Sequence, residues 1–396
     1  MAETLRIAQV APYLTPHVGG VESHVEGISA ELAKRGHDVE VLTSRLPGTP
    51  RQEIQDGYLV RRVATRAMLW RTPITPRLGE VLNERRHDLV HAHSPPPLSA
   101  YYAAAWCRRT RTPLVYTYHC DLEIPMPGGW AIVGAYRRTL GRATVKASDI
   151  VVATTRTYAE TSHALWSHND VRVVPNAVDA ERFHPRVDGT RIRHRHQLGD
   201  KHVALFVGRL AHHKGIEDFI RAAEWSGDDA VHLVVGDGPK REALEKLALS
   251  RFASKVVFAG KVDARDLPAY YRAADMGVLP SNSRLEAFGI AALECMASER
   301  PVIVSDIPGV TEVIQDGSTG LLAEPLDARD LGLKIKRLVD DDETAAAMGR
   351  AGRQRVLDHF TMPRVVDQLE RVYAEALDAR ATAQSTPPDV VSDANR

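Results

Sequence analysis

Short runs of β-branched and aliphatic residues alternate with helix-length amphipathic segments along the chain, and the alternation occurs in two successive series. That rhythm is the signature of βαβ units and parallel sheets. The first series predicts strands at Arg6–Ala11, Asp38–Thr43, Leu89–His93, Leu114–His119 and Ile150–Ala153. Between the first two, Val21–Arg35 reads as a helix with Val25, Ile28 and Leu32 on one face and Gly36 closing it. The second series predicts strands at His202–Val207, His232–Val235, Lys255–Phe258, Met276–Leu279 and Pro301–Ser305. Between the series, Asn176 to Leu198 is polar and rich in His and Arg, which places a linker there. The 396 residues exceed what one hydrophobic core usually organises. The expectation is therefore α/β, with Rossmann-like halves at 1–182 and 201–361 joined by a linker at 183–200. Val365, Leu369, Val372 and Tyr373 give Met362–Leu377 a helical period within 362–380, and the Ser/Thr/Pro/Asp-rich stretch 381–396 reads as a disordered tail.

Charge and cysteine content remove whole classes of function. Lys plus Arg and Asp plus Glu both number 51, so wholesale nucleic-acid binding is not expected and any basic surface must be local. The three cysteines, Cys107, Cys120 and Cys295, are widely spaced, which suggests neither a disulfide framework nor a zinc site. The apolar stretch Ile7 to Ala11 is too short for a signal segment, and no run of about 18 apolar residues occurs. These features point to a cytoplasmic chain.

Two segments carry most of the chemical information. In Val278-Leu-Pro-Ser-Asn-Ser-Arg-Leu-Glu286-Ala-Phe-Gly-Ile-Ala-Ala-Leu-Glu294, a strand end and loop are expected to lead into a helix beginning near Ala287. Glu286 and Glu294 would then stand roughly 12 Å apart at helical rise, about the length of a ribose-diphosphate-hexose spine. The backbone amides of Phe288, Gly289 and Ile290 would face phosphates, helped by the helix dipole. Glutamates on helices are common surface residues, so this pair alone carries little weight. Its company changes that: the strand ending at Val207 runs into Gly208-Arg209-Leu-Ala-His-His-Lys214-Gly215. Arg209 as a bidentate fork and Lys214 as a point charge suit a leaving diphosphate at the carboxyl end of a parallel strand.

Weaker signals surround these two. Gly19 and Gly20 join the first strand to its helix and would admit a phosphate or sugar to the backbone, or simply form a tight turn. Gly236-Asp-Gly238 supplies only part of a GxGxxG pattern, so nicotinamide chemistry is poorly supported. His119 ends its strand at the crevice edge, within reach of a donor hydroxyl or leaving group. His91 and His93 share a strand face without a third ligand, which suits crevice packing or acceptor contacts better than a metal. Asp340-Asp341-Asp342 reads as a solvated helix start, not a cation site, so no metal ligand is nominated. Arg61, Arg62, Arg66, Arg71 and Arg77 surround Met68-Leu69-Trp70, and Ile124–Trp130 is followed by Arg137, Arg138, Arg142 and Lys146. Basic residues interleaved with apolar ones suit either an anionic membrane surface or an ordinary solvated face.

Taken together, the Gly-Arg-x4-Lys-Gly loop and the Glu-x7-Glu segment resemble the retaining GT-B glycosyltransferases of family 4. Val174-Pro-Asn176-Ala-Val-Asp179, Ala274-Asp275 and Pro301-Val-Ile extend the resemblance over nearly the whole chain. It implies the GT-B fold, two Rossmann-like domains facing across a cleft, with the donor on the C-terminal domain, the acceptor on the N-terminal one and the last helix crossing back. It further implies that Glu286 holds the transferred sugar, Glu294 the ribose, Arg209 and Lys214 the diphosphate, and Gly260-Lys261-Val262 the base, with His119 beside the sugar. The donor would be UDP- or GDP-linked, no metal would be essential, and the acceptor would be a glycan or a lipid-linked molecule, with the protein at the inner face of the cell membrane. Ala287 stands where the family has Gly, and Ser298-Glu299-Arg300-Pro301 departs from its small-Gly-x-Pro run, which bears on the donor sugar more than on activity. Competing readings are another GT-B nucleotide-sugar enzyme such as an epimerase, a phosphorylase needing a pyridoxal-phosphate lysine, and a nucleotide-sugar-binding protein without transfer activity.

Overall fold

The computed structural model describes residues 4–17, 19–70, 72–124, 126–165 and 171–385. Its N-terminal part is a sheet built from β1 (Arg6–Val10), β2 (Asp38–Ser44), β3 (Gln52–Gln55), β4 (Tyr58–Val63), β7 (Leu89–Ser94), β8 (Leu114–Tyr118), β9 (Ile150–Ala153) and β10 (Val171–Val173) in the order β10-β9-β8-β7-β1-β2-β4-β3. Only the β3–β4 pair is antiparallel. A separate ribbon joins β5 (Ala67–Leu69) to β6 (Thr72–Ile74). The C-terminal sheet, all parallel, has the order β13-β12-β11-β14-β15-β16, from β11 (His202–Val207), β12 (Ala230–Val235), β13 (Val256–Gly260), β14 (Met276–Leu279), β15 (Val302–Ser305) and β16 (Gly320–Ala323). Helices cover both faces of each sheet, so the central strands are buried throughout and read as continuous apolar runs.

The stretch expected to be a linker is instead part of the C-terminal core. Phe183, Ile192 and Leu198 are buried there together with Tyr270 and Ala273. The short helix Thr190–Arg195 lies against the helix Leu267–Ala273, and a side chain at Gly189 would collide with the Ala273 backbone. The polar residues that suggested a linker are its outer face, while the few apolar ones do the packing.

The last helix, Met362–Ser385, returns to the N-terminal sheet, where Val365, Leu369, Val372, Tyr373 and Ala376 join the core of Ile7, Ile28 and Leu32. Arg35 fixes it by ion pairs of 2.8 Å to Asp367 and 2.7 Å to Glu370. This helix runs past Leu377 into the expected tail; 386–396 lie outside the described residues. Between the two sheets, Val178 N–H donates to the Phe360 carbonyl at 2.8 Å, and Glu312 of the C-terminal part accepts from the Arg156 amide at 3.1 Å and from Thr157.

Candidate active site

The loops after β11 and β14 are interlocked by backbone. Lys214 ends a single 3₁₀ turn, and Gly215 follows it at φ +63°, a conformation costly for any residue with a Cβ. A side chain at Gly215 would collide with the Pro280 carbonyl, and the Asn282 amide donates to the His213 carbonyl at 3.0 Å. These contacts set the Lys214 ammonium on the Glu286 carboxylate, which also accepts from Ser281 Oγ at 3.2 Å. Glu286 is 9% exposed, so the pair is shielded from water and strengthened accordingly.

The helix after this loop starts at Ile290, not near Ala287. Gly289 takes φ +89° with its Cα face against Leu279, which stops a helix from extending backward through Phe288. Glu286 therefore sits in the loop before the helix, and the helical-rise separation expected between the two glutamates does not apply. Phe288 points into the core, its ring edge-on to Phe360 at 6.0 Å, so only its backbone could serve a ligand. Glu294 lies on the helix Ile290–Ala297 and accepts from the Tyr271 hydroxyl at 2.7 Å. Burial raises its carboxyl pKa, opposed by that hydrogen bond and by nearby Arg182.

Arg209 is exposed on the same loop as Lys214. The turn Gly236-Asp-Gly238 packs directly on this loop: a side chain at Gly236 would strike the Gly208 carbonyl, and one at Gly238 would lie 2.5 Å from the Leu210 carbonyl. Gly260 is the last residue of β13 and receives the Gly236 amide at 2.8 Å, so the strand runs two residues beyond the expected Phe258. Lys261 is exposed next to it, while Val262 packs against the C-terminal core.

The N-terminal part supplies the opposite wall. A Cβ on Gly20 would lie 3.2 Å from the Ile290 side chain, so the Gly19-Gly20 turn faces the start of the Ile290–Ala297 helix. His119, expected at a crevice edge, is buried, its Nε2 3.1 Å from His93 Nδ1, and burial lowers its pKa well below the ordinary value, with His24 and His91 adding to the effect. The adjoining Cys120 thiol is pushed up to about 12 by burial, then by Asp121 and Glu286, against Lys214, which places this loop within electrostatic reach of the Glu286–Lys214 pair. Asp121 closes the contact, its carboxylate 3.2 Å from Arg284 Nε on the glutamate loop. On the Lys214 side, His213 is lowered to about 4 by burial first and Lys214 second. His91 and His93 are buried in the same network as His119.

Other expectations fare differently. Arg61 pairs with Glu40 at 3.0 Å and with Glu84, and Arg62 is buried beside Glu53, so neither belongs to an exposed basic patch. Arg77 pairs with Glu80 at 2.6 Å, and Arg71 lies outside the described residues. Met68, Leu69 and Trp70 are exposed. Asp341 caps the helix Asp342–His359, accepting from the Thr344 amide at 3.0 Å.

Residues 188–355 match the profile of glycosyl transferases group 1, and residues 18–182 match that of glycosyltransferase family 4. D-inositol 3-phosphate glycosyltransferase of Acidothermus cellulolyticus is 31% identical over 96% of this chain and 92% of its own length. The chain belongs to the GT-B glycosyltransferases of family 4. The GDP-mannose-dependent α-(1-6)-phosphatidylinositol monomannoside mannosyltransferase of Mycolicibacterium smegmatis is 28% identical over 87% of this chain and 92% of its own. Sucrose-phosphate synthase of Thermosynechococcus elongatus superimposes with a TM-score of 0.81 at 25% identity, covering 95% of this chain and 100% of that one. The interlocked loops described above are thus those of a family 4 glycosyltransferase. Ser281, Asp121 and Arg284 were not singled out in the sequence, because each acts by contact across loops that no local spacing announces.

Proposed function

We propose that this glycosyltransferase moves a hexose or N-acetylhexosamine from a UDP- or GDP-linked donor to a glycan or lipid-linked acceptor, with retention of anomeric configuration. The observation that carries this reading is the shielded Glu286–Lys214 pair, built by two strand-end loops and faced by the His119–Asp121 segment. Glu286 accepts from hydroxyls of the transferred sugar and Glu294 from those of the ribose. The Lys214 ammonium has three donors, so its bond to Glu286 leaves two for the diphosphate. Arg209 supplies a planar fork to the same group, and the amide end of the Ile290–Ala297 helix adds the favourable end of its dipole. With this positive charge converging on the leaving group, departure proceeds without a divalent metal. No side chain is assigned as a covalent nucleophile; attack from the leaving-group face through an oxocarbenium-like state gives retention.

The acceptor belongs to the N-terminal part. There Trp130, 82% exposed, lies on the helix Gly129–Tyr136, whose end runs directly into Arg137 and Arg138 of a surface pocket also lined by Arg142. An apolar anchor beside clustered arginines suits a lipid-linked acceptor at an anionic surface. Both curated relatives described above carry names that specify inositol-containing phosphates or lipids, which fits an anionic acceptor.

The test is release of nucleoside diphosphate over a panel of UDP-, GDP- and ADP-sugars, with and without EDTA. Turnover of one base class that persists in EDTA supports the proposal. Binding without release for every donor would favour a sugar-nucleotide-binding protein instead, and interconversion of the donor sugar would favour an epimerase.

A further inference from the structure

Two exposed apolar features leave the N-terminal sheet at the same edge. β1, β2, β4, β7 and β8 are parallel to one another, so the loops after them emerge on one side, which also carries the Gly19-Gly20 turn and His119. After β4 comes the ribbon of β5 and β6, whose tip leaves Met68, Leu69 and Trp70 exposed by 53, 46 and 52%. After β8 comes the helix Gly129–Tyr136, which holds no charged side chain yet leaves Trp130, Ala131 and Ala135 exposed. In the sheet order β8-β7-β1-β2-β4 the bases of the two features are four strand steps apart, roughly 19 Å at the usual strand spacing. The Gly19-Gly20 turn, which follows β1, lies between them.

Folding accounts for neither feature. Trp70 takes φ +44°, a left-handed conformation that favours Gly, Asn or Asp at a hairpin tip, and about half of its surface is in solvent. A surface helix ordinarily turns polar residues outward, and Gly129–Tyr136 has none apart from Tyr136. The charge around both features is one-sided. Residues 64–78 contain no acid, and residues 122–147 contain Glu123 alone against Arg137, Arg138, Arg142 and Lys146. Among the described residues, the side chains of Arg45 and Arg66 at the base of the ribbon make no ion pair, and neither do those of Arg137, Arg138 and Arg142. Unpaired guanidinium groups beside exposed Trp and Met side chains match a lipid surface, with headgroup phosphates for the cations and the acyl boundary for the apolar groups. A second copy of the chain offers no such complement, since self-association through this face would bring like charges together. We propose that the ribbon tip and the Trp130 helix are two prongs that dock the N-terminal part on an anionic bilayer, with the cleft edge between them turned to the lipid. The docking is independent of the transferase reading; only delivery of a lipid-linked acceptor to that edge rests on it.

The test is co-sedimentation of the full chain with vesicles of phosphatidylcholine alone and of an equimolar mixture with phosphatidylserine. Binding is expected only to the anionic vesicles and should weaken as salt is raised, because the attraction of the arginines is screened. Met68→Ser with Trp70→Ser on the ribbon, and Trp130→Ser on the helix, should each weaken binding about tenfold, and their combination should reduce it to the level of phosphatidylcholine, since two modest anchors multiply. Arg66→Gln, which leaves the apolar tip intact, should cost about fivefold. Quenching of the wild-type tryptophan fluorescence by brominated acyl chains gives a reading that needs no folded variant, and Trp70→Phe and Trp130→Phe should each remove part of it. Equal binding to neutral and anionic vesicles, unquenched tryptophans, or full binding by the combined variant overturns the proposal. Self-association in sedimentation velocity that Trp70→Ser abolishes, without vesicle binding, overturns it in favour of a second copy as the occupant. None of these measurements needs a donor or turnover, so failure of the docking is distinct from failure of the transferase reading.

Discussion

Glu286 and Lys214 neutralise each other in the unliganded protein, and that pairing gives each a measurable role. Glu286→Gln keeps an oxygen for Lys214 and Ser281 but removes the charge. Turnover is expected to fall about 100-fold or more while the thermal midpoint moves only a few degrees. Steady-state kinetics alongside calorimetry checks this; comparable losses in both would mean a structural glutamate. Residue types with diagnostic spacing were legible: Arg209, Lys214, Glu286 and Glu294 form a pattern that can be read without coordinates. Their supporting partners were not. Tyr271 reaches Glu294 from a different helix, and Gln9 meets Tyr373 from the opposite end of the chain. A buried Gln in a strand looks like a polar interruption until its partners are known.

At the level of elements, the loop before the Ile290–Ala297 helix shows how geometry overrides propensity. Ala287 and Phe288 are acceptable in helices, yet Gly289 in a left-handed conformation ends the loop and delays the helix. The apolar parallel strands were legible because two-sided burial writes long aliphatic runs. The edge strand β3 and its neighbour β4 were not, since Gln52–Gln55 is mostly exposed and Tyr58–Val63 carries two arginines. Gly215 is the sharpest test at this scale. Gly215→Ala adds a methyl in a left-handed conformation against the Pro280 carbonyl and should cost about 2 kcal/mol of stability. Because the strained turn carries Lys214, donor affinity should fall as well. Urea unfolding and calorimetric titration would detect the two losses, and an Ala variant with wild-type values in both would refute the interlock.

Across the whole molecule, the Arg284–Asp121 ion pair links the N-terminal part to the loop that carries Glu286. Arg284→Ala should change global stability by less than about 1 kcal/mol, because the Arg284–Asp121 pair is partly exposed. It should nonetheless raise donor KM and expand the particle in X-ray scattering, by releasing one wall of the site from the other. A second global property follows from the buried histidines. His24 is lowered to about 4 and His91 to about 3, chiefly by burial. Their folded pKa values lie below the unfolded value, so stability is complete above about pH 6.5 and declines as pH falls toward 4, where the unfolded chain takes up protons first. Each such histidine steepens the decline by about 1.4 kcal/mol per pH unit. Urea midpoints at pH 7 and pH 5 should differ accordingly, and His24→Gln should flatten the slope.

The returning helix Met362–Ser385 has a consequence for how the chain is made. Its apolar face completes the core around Ile7, Ile28 and Leu32, residues that leave the ribosome well before it does. The N-terminal sheet must therefore wait, with that groove uncovered, while more than 300 further residues are translated. At about 5–20 residues per second this is an exposure of tens of seconds, during which the C-terminal sheet can already close on itself. The N-terminal sheet is thus finished after the C-terminal one, and a chain released before Met362 would carry a closed C-terminal sheet attached to an N-terminal one that still lacks its final wall.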